Sequence, residues 1–331
     1  MSGRAEAIDG FLAAAGWTGA ARTPLAGDAS ARSYVRLARG ADRAMLMDVP
    51  PESGLVVAPF LAVTDWLRGL GLSAPEVWAA DRAAGLVLLE DLGDDLFLRL
   101  AARPGREEGL YAAAVDLLAD LQAAPLPAAT ADWAPPPYDR AVLMREMRLV
   151  PEWYLPAATG RAVPPDLAAE YDAAVETIVA IALAEPPTAV LRDYHAENLL
   201  WLPERVGHAR VGLLDYQDLL VGAPAYDLVS LLGDARRDVP PGLAAAMTAR
   251  YLARTRRKAE GFARSAAALG AQRNLKILGL FVRLAERDGK RGYLRHLPRV
   301  WLHLMRDLGH PDLAGVAGFV AAHVPPPAGI A

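Results

Sequence analysis

The segment LRDYHAENLLW (residues 191–201) places an Asp, four intervening residues and an Asn directly before an apolar stretch. A second apolar stretch downstream ends in Asp215. Amide and carboxylate oxygens are hard ligands that suit Mg²⁺, which binds one or two protein carboxylates together with water and phosphate oxygens. We therefore predict that Asn198 and Asp215 bind Mg²⁺ and that Asp193 acts as a general base.

A short hairpin would bring the two metal ligands together. The apolar runs 199–202 and 211–214 flank PERVGHAR, whose Pro, Gly and charged residues are typical of a turn. If the hairpin closes about its middle, Asn198 lies directly opposite Asp215 at the open end, where the Cβ atoms of opposed residues are roughly 5 Å apart. Asp193, on the preceding loop, would overhang the same point.

The chain before this segment begins with a small mixed α+β unit. Apolar periodicity and turn residues predict helix 4–16, strands 33–37 and 43–49, helix 58–71, and strands 76–80 and 85–89, in that order. The polar run EDLGDD at 90–95 then breaks the pattern. We predict a nucleotide-binding domain over residues 1–90, followed by a hinge over 91–94.

Helices dominate the rest of the chain. The spacing of apolar residues predicts helices over 107–123, 140–150 and 166–184, and further helices rich in Ala, Arg and Leu to about residue 323. The Pro-rich stretch 124–139 must be a connector, because Pro cannot continue a helix. Residues 95–331 are therefore predicted to form a helical domain that carries the catalytic loop, and the fold class is α+β.

Composition excludes several classes of protein. The 331 residues are 53% hydrophobic, which is enough for a large core and argues against global disorder. A formal net charge of −4 argues against binding nucleic acid through bulk positive charge. The absence of Cys excludes thiolate metal sites, and no apolar run is long enough for a membrane span. Because Glu6 and Asp9 interrupt the first apolar stretch, no signal peptide is predicted, and we expect a cytoplasmic monomer without nucleic-acid or membrane partners.

The Asp-x4-Asn spacing, followed by an Asp after a short hairpin, resembles the catalytic loop of protein-kinase-like phosphotransferases. LLDYQD (213–218) and GAPAYDLVSLL (222–232) resemble the metal-site segment and the following Pro-x-Tyr-Asp-Leu segment of the aminoglycoside phosphotransferase family. Within that family the chain resembles the bacterial kinases of cell-wall sugar recycling that phosphorylate the anomeric hydroxyl of N-acetylmuramate and N-acetylglucosamine. Two further segments, 27–37 and 134–155, carry this likeness, which spans roughly residues 25–235.

The resemblance implies a protein-kinase-like two-lobed fold, with a small antiparallel-sheet lobe and a mostly helical lobe, and it implies ATP and Mg²⁺ as cofactors. The predicted ATP contacts are a phosphate loop, one cation and the main chain at the hinge: Gly27, Asp28, Ala29, Ser30, Arg32, Glu90 and Leu92. The role of Asp227 has two readings. The resemblance implies that it supports the catalytic loop, whereas the residues alone allow it to cap the helix that follows.

Two features depart from the kinase pattern. The position two residues before the catalytic Asp, usually a His, is Leu191. The phosphate-binding Lys of the third strand is also missing, because no Lys precedes Lys258 and Met47 stands near that place. Arg32 and Arg36 are the nearest replacements, since a guanidinium binds phosphate through two parallel hydrogen bonds.

Two groups of residues are predicted to contact an amino-sugar acceptor. His195, Glu197 and Gln217 flank the proposed centre, and a second group mixes charge with aromatic rings that can stack on a sugar: Arg145, Glu146, Trp153 and Tyr154. The predicted activity is ATP-dependent phosphorylation of the anomeric hydroxyl of N-acetylmuramate, N-acetylglucosamine or both. Two alternatives stay open: a kinase for another small hydroxyl acceptor, such as an aminoglycoside or an amino alcohol, and an ATP-binding pseudokinase.

Overall fold

The computed structural model of the protein describes residues 2–25 and 31–330, without the side chain of Ser2. The predicted phosphate loop, Gly27 to Ser30, lies outside the described residues. The chain divides into two compact units. Unit 1 comprises Met1–Ala113, Pro127–Pro135 and Glu197–Asp218, and unit 2 comprises Ala114–Leu126, Pro136–Ala196 and Leu219–Ala331.

Unit 1 is built on a five-stranded antiparallel sheet. Its strands are β1 (Ala21–Pro24), β2 (Ser33–Arg39), β3 (Asp42–Asp48), β4 (Val77–Asp81) and β5 (Leu86–Leu89), in the spatial order β1-β2-β3-β5-β4. Four of these strands agree with the predicted ones within two residues, and β1 was not predicted. Ala21–Pro24 is exposed along its whole length, so it lacks the apolar alternation that identifies a half-buried strand.

Helices pack beside this sheet. Unit 1 contains α1 (Ser2–Ala14), α2 (Ala58–Gly69) and the short α3 (Phe97–Leu100), and α4 (Glu107–Ala123) continues from unit 1 into unit 2. Leu12 of α1 joins Leu46 of β3 and Leu88 of β5 in one buried cluster. Met47 and Val87, which point to the opposite face, are also fully buried. Burial on both faces explains why the central strands are continuously apolar.

The predicted hairpin forms and belongs to unit 1. Strands β7 (Leu199–Trp201) and β8 (Val211–Leu213) pair antiparallel, and a 3₁₀-helix over Gly207–Arg210 precedes β8. Ser73 bridges to Gly212 and Leu96 bridges to Leu200, so each strand of the hairpin also makes a bridge to a segment outside it. The hairpin is therefore held on both sides by backbone pairing.

Unit 2 is mostly helical. Its helices after α4 are α5 (Arg140–Met147), α6 (Leu155–Thr159), α7 (Pro165–Leu183), α8 (Ala225–Leu232), α9 (Pro241–Thr255), α10 (Ala259–Glu286), α11 (Leu297–Asp307) and α12 (Ala314–His323). A two-stranded sheet pairs β6 (Thr188–Val190) with β9 (Leu220–Gly222). A π-helical turn, Val150–Tyr154, joins α5 to α6.

Helix α10 is the central element of unit 2 and contacts α5, α7, α8 and α11. It approaches the backbone before the π-helical turn so closely that a Cβ at Gly279 would lie 2.1 Å from the carbonyl oxygen of Leu149. Only Gly fits at this contact. Across residues 2–25 and 31–330, no helix combines the length and the apolar character that a membrane span requires.

Candidate active site

The loop that carries Asp193 follows β6 in unit 2. Asp227, in the first turn of α8, accepts hydrogen bonds from the backbone N–H groups of Leu191 (2.7 Å) and Arg192 (2.8 Å). The Asp227 side chain is fully buried, and the N-cap of α8 is Pro224. Asp227 therefore supports the catalytic loop rather than capping the helix, which is the role implied by the resemblance.

Burial raises the pKa of Asp227 to about 7, although the two N–H groups that it binds favour the ionised form. We expect Asp227→Asn to lower the free energy of unfolding by ~1–3 kcal/mol, because an amide offers one acceptor oxygen to two buried donors. Urea unfolding of the variant beside the unchanged chain measures this loss. Asp288→Asn, an exposed control, should unfold at the same urea concentration as the unchanged chain. Equal stability of the Asp227 variant would contradict the assigned role.

Asp193 is half-buried among cations. Burial alone would raise the pKa of its carboxyl group, but nearby cations, foremost Lys276 and then Arg192 and Arg273, outweigh burial and lower it. The carboxylate is therefore ionised in neutral solution, which is the form that a proton acceptor requires. Its backbone N–H donates to the carbonyl oxygen of Leu191 at 2.9 Å.

His195 lies two residues after Asp193 and is 3% exposed. Burial lowers the pKa of its imidazole to about 4, so the ring is neutral at physiological pH. One nitrogen, Nε2, lies 3.4 Å from Nη1 of Arg236. The predicted contact of His195 with a sugar stays a prediction, and the structure adds Arg236 as a neighbour that the sequence did not single out.

The hairpin has a different register from the predicted one. Leu199 pairs with Leu213, so Leu214 and not Asp215 lies opposite Asn198, whose carbonyl oxygen accepts the N–H of Leu214 at 3.0 Å. The predicted direct opposition of Asn198 and Asp215 is wrong by one residue. The turn accounts for the shift: the N–H of Leu202 donates to the carbonyl oxygen of Arg210, which closes the loop one residue earlier.

Asp215 adopts a left-handed backbone conformation, with φ of +54°, immediately after the hairpin. Asp tolerates this conformation better than most residues, so its type suits the position. Gln217 donates its side-chain amide to Oδ1 of Asp215 at 2.7 Å, and Nη1 of Arg32 lies 3.8 Å from the same oxygen. The Gln217 amide thus binds the carboxylate predicted to hold the metal, and its predicted contact with the acceptor stays a prediction.

Tyr216, the residue after Asp215, is packed in the interior of unit 1. The ring of Tyr216 stacks on Phe60 of α2 at a centroid distance of 5.5 Å, and its hydroxyl lies 2.7 Å from Oγ1 of Thr64. The Thr64 hydroxyl itself donates to the carbonyl oxygen of Phe60, so Tyr216 is the donor in their contact. With Tyr216 held in the interior, the Asp215 side chain keeps 46% of its surface exposed.

The exposed Asp215 side chain offers carboxylate oxygens and the half-buried Asn198 side chain offers an amide oxygen, and both types fit the ligand chemistry of Mg²⁺. Within the described part of the chain, no group of three or more His, Cys, Asp or Glu side chains could hold a metal. In proteins Mg²⁺ commonly binds one or two carboxylates together with water and substrate phosphates.

The two candidate phosphate-binding arginines differ in their partners. Arg36 forms ion pairs with Asp91 (2.7 Å) and Asp94 (2.8 Å), which occupy its guanidinium. Arg32 is the one of the two that lies near Asp215. Met47, near the place of the missing Lys, is fully buried and accepts the Tyr34 hydroxyl at 3.5 Å. Arg32 is therefore the candidate nearer to the predicted metal ligand, and phosphate binding by either arginine stays a prediction.

The predicted hinge contacts, Glu90 and Leu92, are half-buried and follow β5. The N–H of Glu90 donates to the carbonyl oxygen of Glu76 at 2.8 Å, and its carboxylate forms an ion pair with Arg205. Side-chain contact of Glu90 with a nucleotide would compete with this ion pair. Adenine binding through the main chain stays a prediction.

The second group of predicted acceptor contacts does not share one environment. Arg145 is exposed and Trp153 is half-buried. Tyr154 is fully buried and donates its hydroxyl to the carbonyl oxygen of Pro325, which is the environment of a core residue. Glu146 is buried among donors in the interior of unit 2. A cavity of about 880 Å³ beside this segment, lined by Arg148, Glu152, Arg161 and Asp172 among others, contains none of the predicted site residues.

Known proteins resemble this chain over most of its length. A family model described as the phosphotransferase enzyme family matches residues 21–262. The chain is 40% identical to the N-acetylmuramate/N-acetylglucosamine kinase of Caulobacter vibrioides over 355 aligned positions, which cover 98% of each protein. It is 33% identical to the protein of the same name from Pseudomonas aeruginosa, over 90% of this chain and 87% of that one.

A solved structure, that of a putative aminoglycoside phosphotransferase from Ralstonia eutropha, superposes with a TM-score of 0.64 at 16% identity, over 96% of this chain and 98% of that one. This likeness confirms the predicted α+β fold class, protein-kinase-like with a small antiparallel sheet and a mostly helical remainder. The resemblance noted from the motifs is likewise confirmed. The chain belongs to the phosphotransferase enzyme family.

Proposed function

We propose that the protein is an ATP-dependent kinase that phosphorylates the anomeric hydroxyl of N-acetylmuramate and N-acetylglucosamine. One observation carries the proposal: 40% identity, over 98% of both chains, to a kinase named for these two sugars. The ionised Asp193 carboxylate in unit 2 and the exposed oxygens of Asp215 in unit 1 supply the chemistry that such a reaction requires.

Asp193 is the proposed general base. It would accept the proton of the anomeric hydroxyl as that oxygen attacks the γ-phosphorus of ATP, and ADP would leave with the bridging oxygen. An anomeric hydroxyl is more acidic than an ordinary alcohol, so a carboxylate base is sufficient. Asn198 and Asp215 would hold Mg²⁺, which neutralises charge on the triphosphate when bound. His195, Glu197 and Gln217 remain the proposed acceptor contacts, and Gln217 would also orient Asp215.

Arg32 is proposed to bind the ATP phosphates in place of the missing Lys. We expect Arg32→Met to raise the KM for ATP about 10-fold or more, because a hydrogen bond to a charged group contributes ~1.5–3 kcal/mol. Steady-state kinetics at saturating sugar measures this change. Arg22→Met is the matched control, because Arg22 lies in the same unit and pairs with the exposed Asp9. An unchanged KM for ATP in the Arg32 variant would contradict the assignment.

The activity itself is tested by ³¹P NMR with ATP and each amino sugar. We expect a sugar 1-phosphate signal with N-acetylmuramate or N-acetylglucosamine, and none with the 1-O-methyl glycoside of either, because methylation removes the attacking hydroxyl. Phosphorylation of an aminoglycoside or an amino alcohol alone would replace the proposal with the first alternative. Nucleotide binding without transfer to any acceptor would favour the pseudokinase.

A further inference from the structure

The residue before the proposed base has an unusual backbone. Arg192 has φ of +70°, in the left-handed region that favours Gly, Asn and Asp. Two other non-Gly residues share this feature in the described part of the chain, Asp215 and Arg256. A long side chain in this conformation persists only where its surroundings hold it, and such positions cluster at functional sites.

The main chain at Arg192 is held by α8. Asp227 accepts the N–H groups of Leu191 and Arg192, and the Ser230 hydroxyl donates to the carbonyl oxygen of Arg192 at 3.3 Å. These contacts fix the peptides on both sides of Arg192. They do not involve the Arg192 side chain, which has a partner of its own.

The Arg192 guanidinium forms an ion pair with Glu146 of α5. Glu146 also accepts the Tyr138 hydroxyl at 2.5 Å and the Gln272 amide at 2.8 Å, and Nζ of Lys276 lies 3.1 Å from its Oε1. Its side chain is 8% exposed. Burial alone would raise the pKa of Glu146, but Lys276 and Arg192 outweigh burial and lower it to about 2. The carboxylate is therefore a permanent anion surrounded by four donors.

We propose that Glu146 is a positioning residue that acts through Arg192 to orient Asp193 in the phosphoryl-transfer reaction. This inference rests on the proposed function, because it takes Asp193 to be the base. It replaces the predicted contact of Glu146 with the acceptor. Glu146 does not touch the reacting atoms in this proposal: it fixes the side chain of the residue that directly precedes the base.

Two observations support a positioning role over a purely structural one. Arg192 is bonded to α8 through its backbone and to α5 through its side chain, so the dihedral angles that direct Asp193 are held from two elements. The charges are also complementary: the cations Arg192 and Lys276 face the anions Glu146 and Asp193. His195, Arg273 and Asp227 are further charged or titratable groups that act on Asp193.

The main test is a double-mutant cycle between Arg192→Asn and Glu146→Asp. Asn tolerates a positive φ, so Arg192→Asn keeps the backbone conformation while it removes the ion pair with Glu146. Glu146→Asp keeps the buried negative charge but shortens its reach. We expect each change to lower kcat about 10- to 100-fold, because a small misplacement of a catalytic group costs up to this much, and to leave the KM for ATP unchanged.

The double-mutant cycle distinguishes an effect of Glu146 that passes through Arg192 from one that is independent of Arg192. If Glu146 acts through Arg192, Glu146→Asp should lower kcat much less in the Arg192→Asn background than in the unchanged chain. Arg192→Lys, which restores a cation, should recover part of the lost kcat. The matched control is Glu176→Asp, because Glu176 pairs with Arg140 in an exposed ion pair of the same unit and should leave kcat unchanged.

Three results would overturn the inference. Losses of kcat that simply multiply in the double variant would mean that Glu146 does not act through Arg192. A raised KM for the sugar at constant kcat would return Glu146 to acceptor binding. A lower melting temperature of the variants with normal kcat would mean that Glu146 and Arg192 stabilise the fold without orienting Asp193.

A second measurement separates this inference from the proposed function. Hydrogen exchange of a peptide covering residues 188–196, in the protein without ligands, should be faster in both Arg192→Asn and Glu146→Asp, and normal in Glu176→Asp. If the unchanged chain phosphorylates no sugar, the proposed function fails while exchange still tests whether Glu146 orders the loop. Unchanged exchange in both variants would overturn the positioning role.

Discussion

Asp193→Asn should lower turnover with N-acetylmuramate or N-acetylglucosamine by at least about 100-fold, the lower end of what removal of a general base costs. An amide cannot accept the proton of the anomeric hydroxyl, whereas the Asp193 carboxylate is kept ionised by nearby cations. Folding should be intact, because Asp227 binds the backbone N–H groups of Leu191 and Arg192, and the Asp193 N–H donates to a backbone carbonyl. Single-turnover kinetics at saturating ATP and sugar measures the chemical step.

Asp166→Asn provides the control, because Asp166 is an exposed carboxylate in the first turn of α7 and should leave turnover unchanged. The thermal unfolding midpoint of the Asp193 variant should match that of the unchanged chain. Near-normal turnover in the Asp193 variant would rule out its role as the base, even if the sugar kinase activity itself is present.

Asp215→Asn should lower turnover by roughly 100-fold at a fixed Mg²⁺ concentration, in line with the loss of one strong electrostatic contact in a transition state. It should also raise the Mg²⁺ concentration needed for half-maximal rate, since a neutral amide attracts a dication less than a carboxylate does. Asn is the substitution of choice, because it tolerates the left-handed backbone at this position. Rates over a Mg²⁺ titration at constant ATP measure both effects.

High Mg²⁺ should restore part of the rate, which a misfolded variant would not allow. Asp42→Asn, an exposed change at the first residue of β3, should leave the Mg²⁺ dependence unaltered. If the Asp215 variant shows the same turnover and the same Mg²⁺ dependence as the unchanged chain, Asp215 does not hold the metal.

Local sequence signals were sufficient to predict helices and strands that can be recognised from their own residues. Helix α4 begins and ends at the predicted residues, 107 and 123, and the hairpin strands lie within the predicted runs. Their apolar periodicity and turn residues act over a few positions, so no distant contact is needed to identify them. The short pair β6 and β9 was missed, because strands of three residues carry too few alternations to be recognised.

Local sequence patterns did not predict the register of the hairpin or the hydrogen-bond partners of the site residues. Asp215 lies one residue past the position opposite Asn198, because Leu202 pairs with Arg210 and not with Val211. Gln217 was assigned to the acceptor from its proximity in sequence, which did not reveal that its amide binds Asp215. One hydrogen bond decided each of these details.

By itself, the sequence determined the family and the residue types of the candidate site, because Asp193, Asn198 and Asp215 lie within 23 positions and the surrounding motifs are contiguous. Only the tertiary structure decided which groups surround the base. Glu146, Arg192 and Lys276 come from segments 46 and more residues apart, and they meet because α5 and α10 pack together in unit 2. A buried carboxylate acquires its role from the donors that packing brings to it, and that information is not present in any one segment of the chain.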